Sequence, residues 1–353
     1  MRFLHVVNVR WYNATAWYAV NLSKILKDYG HDVIVLGLPG TPPMDKAGQY
    51  HLETAEFDLN TNNPVKVFLN ILKVNKLLKR FNPDVVNCHR GEFFWYFAFK
   101  KVLNKKSFKL IRTRGDIREP KKGFFNYFIH SVCDRIITSA EIIKNKYVEN
   151  LGVSPSKISV VYGGVDDKKF IYSEKGRAKV REEMGFGEKD YVVGIVGRFD
   201  YVKGHENLIK AVGKLYYAKG MENIRLVLIG YETNLSNEDI KNLLKENGIE
   251  EISVITGYRD DIADCLSALD LGVVASTGSE AVCRVAFEIM AEGIPVVASD
   301  VGVLPEIIPE ENIYSKNDID GLADKIMHHS DKTFLFSEKK FYEDYMKAVN
   351  NNV

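Results

Sequence analysis

The sequence predicts two doubly wound α/β domains, each a parallel sheet covered by helices. Three observations predict it. Short apolar runs alternate with helix-length segments along the chain. The alternation falls into two separate series. A chain of 353 residues also exceeds the size at which a single hydrophobic core keeps growing.

The first series of strand candidates runs Phe3–Val9, Val33–Gly37, Val85–Cys88, Leu110–Thr113, Arg135–Ser139 and Ile158–Tyr162. The second runs Tyr191–Val196, Arg225–Ile229, Ile252–Thr256, Leu271–Ser276 and Val296–Ser299. Their lengths and near-continuous apolar character suit strands buried on both faces. Between the series, Gly163–Arg177 carries Gly163, Gly164, Asp166, Asp167 and a charged stretch, the composition of a junction. In open α/β sheets ligands bind beyond the carboxyl ends of the strands, so a crevice between two such domains is the expected site.

Composition is that of an ordinary soluble globular protein, 46% hydrophobic and 27% charged. No apolar run is long enough to span a bilayer and the N-terminus lacks the pattern of a secretory leader, so a cytoplasmic protein is expected. Cys88, Cys133, Cys265 and Cys283 lie in apolar stretches without metal-binding spacing and read as buried thiols. Net charge is +1, yet residues 1–165 hold 25 Lys and Arg against 13 Asp and Glu, while the remainder carries −11. The basic half suggests an anionic acceptor, an anionic lipid surface or nucleic acid, or only solvated lysine faces.

The richest stretch is 277–306, TGSEAVCRVAFEIMAEGIPVVASDVGVLPE. Val282, Val285, Ala286, Ile289 and Met290 recur at the spacing of one helical face, Thr277, Gly278 and Ser279 offer a turn and N-cap, and Gly293 and Pro295 stop the helix. A helix that starts there presents free N–H groups to a phosphate. Glu280 then stands at the mouth, with Glu288 about 12 Å along the axis at about 1.5 Å per residue. One carboxylate suits a sugar and the other a ribose. The competing reading makes Glu288 a helix-surface charge and Glu280 a first-turn acid favoured by the helix dipole.

His89 and Arg90 end the run Val85–Cys88 and are candidates to face the crevice, His89 for acceptor binding or proton transfer; a His that satisfies a loop carbonyl is the alternative. His5, inside the first strand, reads as core, and His205 as a surface helix residue or a phosphate contact. Asp318-Ile-Asp320 reads as a helix cap and not a metal site, and no ligand cluster indicates a metal. The dinucleotide, P-loop and GxSxG signatures are absent, against a dehydrogenase, a P-loop kinase or a serine hydrolase.

Several stretches together resemble the family-4 retaining glycosyltransferases of two-domain GT-B architecture. They are Val161–Asp166 (VYGGVD), Val196–Gly204 (VGRFDYVKG), Leu226–Gly230 (LVLIG), Gly257, and Glu280-x7-Glu288 through Gly302, Pro305 and Glu306. The specific motifs cover about 150 residues of the second half; the first half is similar mainly in rhythm, including Tyr29–Val33 and Pro83–Val86. The resemblance implies a domain 1–165 on the acceptor side and a nucleotide-sugar domain 166–336, with a C-terminal helix over 337–353 packing back on the first. It implies that Arg198 and Lys203 clamp the donor diphosphate, that Glu288 accepts from the ribose hydroxyls, that Glu280 contacts the transferred sugar, and that the amides of Ala281, Val282, Cys283 and Arg284 lie near phosphate. Independently, Arg198 and Lys203 follow a buried strand in a glycine-bounded loop, where fixed positive charge suits a leaving diphosphate. Tyr231 and Gly257, Tyr258 and Arg259 are the expected neighbours of the base, uracil or guanine.

The chain departs from the family in places. Ala281-Val-Cys283 stands where members often read Gly-Phe-Gly, and Arg284 is a candidate phosphate contact. Arg10–Ala16 replaces the glycine-rich loop after the first strand, so Asn13 and Thr15 either replace backbone donors or shape a turn. No His accompanies Thr113–Arg118, leaving Arg114 and Asp116 as the crevice candidates.

The implied activity is metal-independent retaining transfer of a hexosyl group from UDP- or GDP-sugar, with no separate cofactor, to a hydroxyl of a glycan or glycolipid in cell-envelope polysaccharide or lipopolysaccharide synthesis. Domain closure would complete the site, and the leaving diphosphate would assist deprotonation of the acceptor. An epimerase or glycan phosphorylase of the same architecture, or a non-catalytic sugar-nucleotide binding protein, are the alternatives. No nucleic acid is expected. Phe93–Lys106 and Lys121–Phe128 pair aromatics with lysines, which fits peripheral attachment to the inner membrane face; Phe93–Phe99 reads as core, with Lys100–Lys109 left to dock on lipid or an anionic glycan.

Overall fold

The computed structural model describes residues 1–104, 108–278 and 280–351. The chain divides into two compact units, Met1–Gly163 with Glu338–Val353, and Gly164–Ser337.

The first unit runs β1 (Arg2–Val7), α1 (Ala14–Asp28), β2 (Asp32–Gly37), α2 (Pro42–Gln49), β3 (Glu53–Glu56), α3 (Pro64–Phe81), β4 (Val85–Cys88), α4 (Phe94–Leu103), β5 (Lys109–Arg114), α5 (Phe124–Ser131), β6 (Arg135–Thr138), α6 (Glu141–Leu151) and β7 (Ile158–Val160). Its strands lie in the order β3-β2-β1-β4-β5-β6-β7, and each described pairing is parallel. The apolar runs build this sheet because Val, Ile and Leu bury both faces of a pleated strand under helices. Asn13 caps α1, its side chain accepting from Ala16 N at 3.1 Å.

The second unit runs α7 (Glu174–Met184), β8 (Tyr191–Val196), α8 (His205–Ala218), β9 (Ile224–Ile229), α9 (Asn237–Glu246), β10 (Ser253–Gly257), α10 (Ile262–Ser267), β11 (Leu271–Val274), α11 (Arg284–Ala291), β12 (Val296–Ser299), α12 (Leu304–Ile307), β13 (Ile313–Tyr314) and α13 (Ile319–Met327). Strand order is β10-β9-β8-β11-β12-β13, parallel in each described pairing. Its core packs Val193, Leu208, Val212, Leu226, Leu228, Leu271, Val273 and Leu322 between sheet and helices. Asp318 caps α13 through Gly321 N at 2.9 Å, as its spacing predicts.

The C-terminal helix α14 (Glu338–Asn350) belongs to the first unit. Phe341 packs on Tyr18 with ring centroids 4.8 Å apart, Tyr342 stacks on Tyr29 at 3.8 Å, and Lys24 pairs with Glu338 at 3.1 Å. All four cysteines are buried free thiols.

In its elements and their packing, the structure differs from the sequence reading in three places. β3 and β13 are additional edge strands. Phe93, just before α4, and Phe94, Tyr96 and Phe97 within it are buried as expected, but Phe99 is exposed. Lys105 and Lys106 of the basic stretch lie outside the described residues. The helix expected from about Glu280 begins only at Arg284. Glu280 is therefore a loop residue, and its expected place on the helix axis is corrected.

Candidate functional site

In the second unit the site candidates gather where strands end. Along the carboxyl edge of the sheet, in strand order, come Gly257 at the end of β10 with Tyr258 after it, Tyr231 after β9, Arg198 and Lys203 after β8, and Glu280 after β11.

The β8 loop is shaped by its sequence. Asp200, buried, accepts from Val202 N at 3.2 Å and starts a 3-10 turn, Tyr201–Lys203. Its other oxygen accepts from Arg198 Nε at 2.9 Å and from Asn234 Nδ2 at 3.2 Å. Burial works to raise the Asp200 pKa, but these donors outweigh it and the net shift is downward. Gly204 closes the turn at φ +73, where an added Cβ would stand 1.9 Å from the Ala275 carbonyl oxygen. Only glycine lets the turn press against the end of β11.

That contact brings Lys203 to Glu280. Lys203 Nζ donates to Glu280 Oε1 at 2.5 Å, and Ser276 Oγ donates to the same oxygen at 2.6 Å. Burial would lower the Lys203 pKa, yet the Glu280 carboxylate, by charge and hydrogen bond, leads the opposing effects and the net shift is upward. The Glu280 backbone is held from the other side by Val303 N, which donates to its carbonyl at 2.9 Å, while Thr277 N donates to Val202 O at 2.9 Å. Gly302, at φ +62, fits against that carbonyl because it has no Cβ. Lys203 and Val303, both far away in sequence, thus fix Glu280 together with the nearby Ser276.

Cys283 occupies the N-cap position of α11 without capping it through its side chain, and the expected cap among Thr277, Gly278 and Ser279 is corrected accordingly; Ser279 itself lies outside the described residues. Ala281, Val282 and Cys283 are buried in the segment that leads into the first turn. Glu288 lies one turn along, buried, with Arg284 Nε 3.1 Å from its Oε1. Burial raises its pKa, against the opposing charges of Arg284 and Lys169. Tyr231 and Tyr258 are exposed with ring centroids 6.4 Å apart, and Gly230 N donates to Gly257 O at 3.2 Å. Arg259 is paired with Glu183 and with Asp261 at 2.8 Å, so it braces α7 against the loop.

The first-unit candidates are differently placed. His89 is buried, its Nε2 3.3 Å from His5 Nδ1, and burial holds its pKa well below the imidazole range. The expectation that it faces a crevice is corrected: the ring turns into the core between His5 and Tyr18. In the second unit, His205 at the start of α8 is also buried, packed edge-on against Phe199 at 5.2 Å, with its pKa lowered by burial to about 4, which corrects its reading as a surface residue. Thr15 donates to Gly115 O at 3.4 Å, joining the first turn of α1 to the loop after β5. Arg90 meets Glu92 at 3.3 Å. Arg114 donates to the carbonyls of Asp116 and Arg118, and Asp116 accepts from Arg118 Nε, which overcomes its burial and holds its pKa at about 2. These loop residues thus hold one another.

Sequence reasoning missed Asp200, Asn234 and Ser276, which position the cations and Glu280. Asp200 had a local signal, an Asx turn two residues after Arg198; Asn234 acts from another loop, and Ser276 sits four residues before Glu280.

Residues 176–343 match the family model described as glycosyl transferases group 1, and residues 15–169 match glycosyltransferase family 4. An uncharacterized glycosyltransferase of Methanocaldococcus jannaschii is 29% identical over 266 residues, covering 70% of this chain. The chain spans 65% of that relative's length and about half that of other curated relatives. Among solved structures, Anabaena HepE in complex with UDP aligns with a TM-score of 0.82 at 18% identity over 99% of both chains. The lipopolysaccharide outer core galactosyltransferase WaaB, in its apo form, aligns at 0.75 and 18% identity over 99% of both. The shared fold is GT-B, two parallel-sheet α/β domains.

Proposed function

The chain belongs to the group 1, family 4 glycosyltransferases, and from that premise we propose that it moves a sugar from a nucleoside-diphosphate donor, UDP before GDP, to a hydroxyl of a glycan or glycolipid. The observation that carries the reading is the order of groups along the edge of the second sheet. Tyr258 and Tyr231 offer faces for a base, Arg198 and Lys203 supply fixed positive charge for a diphosphate, and Glu280 supplies an acceptor for sugar hydroxyls. Glu288 takes the ribose, and the amides of Ala281–Arg284 approach phosphate. The UDP complex of HepE supports uridine as the base, and the WaaB fold match supports a role in envelope polysaccharide or lipopolysaccharide synthesis.

Transfer proceeds with retention. The bond from the anomeric carbon to the diphosphate oxygen breaks, and the acceptor oxygen bonds to that carbon on the same face. The acceptor proton passes to the departing phosphate oxygen. Arg198 and Lys203 neutralise the charge that builds on the leaving group, a task metals perform elsewhere, so no metal is required. Asp200 keeps Arg198 oriented by its Nε, and Glu280 keeps Lys203 extended until the donor arrives. In the first unit, Arg90 and the Arg114–Asp116 loop serve the acceptor.

The test is a donor panel of UDP- and GDP-sugars with glycan and glycolipid acceptors, the product anomer read by NMR. Retention of the donor's configuration supports the reading. Epimerised or phosphorolysed sugar in its place, or tight UDP binding with no turnover, would overturn it.

A further inference from the structure

We propose that the outer side of α3, together with the exposed ends of α4 and α5, is a docking surface for an anionic lipid bilayer. α3 turns Asn70, Val74 and Leu77 inward. Its opposite side carries Val65, Phe68, Leu69 and Leu72 at the i, i+3, i+4, i+7 spacing of one stripe, and they are 66, 59, 48 and 50% exposed. A helix that only covered a sheet would turn such a stripe inward. Helical rotation carries the same face on to Lys76 and Lys79. Across its 18 residues α3 has four lysines, Lys66, Lys73, Lys76 and Lys79, an Arg80 that pairs with Glu53 of β3 at 2.9 Å, and no acidic residue.

The neighbouring helices extend this surface. Right-handed crossovers from β3 to β4, β4 to β5 and β5 to β6 all advance the same way across the sheet, which puts α3, α4 and α5 on one face. Tyr96 Oη donates to Asn75 Oδ1 at 2.7 Å and ties α4 to α3. Phe99 meets Phe125 and Phe128 with ring centroids 6.3 and 5.9 Å apart and ties α4 to α5. Phe124 is 84% exposed, with Phe125 and Tyr127 exposed beside it and the exposed Lys121 and Lys122 just before.

Exposed apolar groups of this kind mark an interaction surface, and the charge selects the partner. Apolar side chains that enter the headgroup boundary while lysines meet lipid phosphates are the pattern of an interfacial helix. A second copy of this chain would bring two α3 helices together, each cationic and without an acidic residue of its own, which like charge opposes. Among the described residues no helix is long and apolar enough to cross a membrane, so the attachment is to its surface.

The test is co-sedimentation of the full-length chain with vesicles of phosphatidylcholine alone and of phosphatidylcholine mixed with phosphatidylglycerol. Binding is expected to the mixed vesicles, weakening with added salt. Lys76→Gln with Lys79→Gln is expected to weaken it about twenty-five-fold, at about fivefold per cation. Phe68→Glu with Leu72→Glu is expected to abolish it. Ile171→Glu, equally exposed on the second unit, is the control that leaves binding unchanged. Thermal melts confirm that each variant is folded. Absence of wild-type binding to mixed vesicles at low salt, equal binding to both vesicle types, or wild-type binding by Phe68→Glu/Leu72→Glu overturns the proposal. So does a dimer that these substitutions dissociate while vesicle binding is absent.

Discussion

Gly302→Ala tests whether Glu280 is placed by contacts far from it in sequence. At φ +62 an added Cβ would stand 2.0 Å from the Glu280 carbonyl oxygen, 2.8 Å from its carbonyl carbon and 3.1 Å from its Cα. Non-bonded atoms settle near about 3.5 Å, so the Glu280 backbone must retreat by roughly 1.5 Å. The left-handed conformation costs an alanine about 1–2 kcal/mol, and loss of the 2.9 Å Val303 N–H bond costs about 1 kcal/mol more. The sum lowers the melting temperature by about 5–10 °C for a unit of this size. The larger effect is on turnover. A shift of about 1 Å in a positioned group can cost about a hundredfold, and Glu280 carries Lys203 with it. Gly293→Ala is the matched control: its φ is +76, but its Cβ would meet nothing within 4 Å. It pays only the backbone strain. Melts and donor turnover of the two variants decide the matter: Gly302→Ala with wild-type turnover, or with no greater loss than Gly293→Ala, refutes the reasoning.

Asp200→Ala leaves Arg198 Nε and Asn234 without their shared acceptor; the donor KM is expected to rise about tenfold or more, and an unchanged KM would remove Asp200 from the site. Glu288→Leu, which removes the acceptor, is expected to erase the preference for UDP over 2′-deoxy-UDP measured by calorimetry, whereas preserved discrimination would take the ribose away from Glu288. Glu292 is buried and its carboxyl is pushed up to about 7 by that burial, against a hydrogen bond from Ser267 Oγ at 2.7 Å. The native state therefore holds this proton longer than the unfolded chain, so the group's stabilisation is full below its unfolded pKa of 4.5 and is lost as pH rises through about 7. Glu292→Gln is expected to exceed the wild type in stability at about pH 8, by up to about 3 kcal/mol, and to lose that advantage near about pH 4. Parallel pH–stability curves for the two proteins would contradict the burial argument.

The strands that build the two sheets were legible because each is an apolar run of strand length bounded by turn residues, as in Val85–Cys88 and Tyr191–Val196, which the structure reproduces residue for residue. β3 was not legible: Glu-Thr-Ala-Glu has no apolar run, since an edge strand is buried on few sides. The start of α11 misled because Val282 fits the helical period while its neighbour Glu280 is held by Lys203, Ser276 and Val303. A strand-end position does not say which way a side chain turns, and so His89 faced His5 in the core where a crevice was expected. Arg198 and Lys203 could be found by their glycine-bounded loop, whereas Asn234 braces Asp200 from the loop after β9 and leaves no local signal, and Ser276 is near Glu280 in sequence but its spacing does not say that its hydroxyl turns to that carboxylate.

The central claim is that the second unit grips a diphosphate through Lys203 and Arg198. Calorimetric titration of UDP and of uridine into the wild type and into Lys203→Ala isolates that grip, because uridine shares the base and ribose and lacks only the phosphates. The expected result is that UDP binds the wild type far more tightly than uridine does, and that Lys203→Ala narrows the gap by about thirtyfold, the loss of one charged hydrogen bond of about 2 kcal/mol. Equal affinities of UDP and uridine for the wild type, or a gap that Lys203→Ala leaves intact, would contradict it.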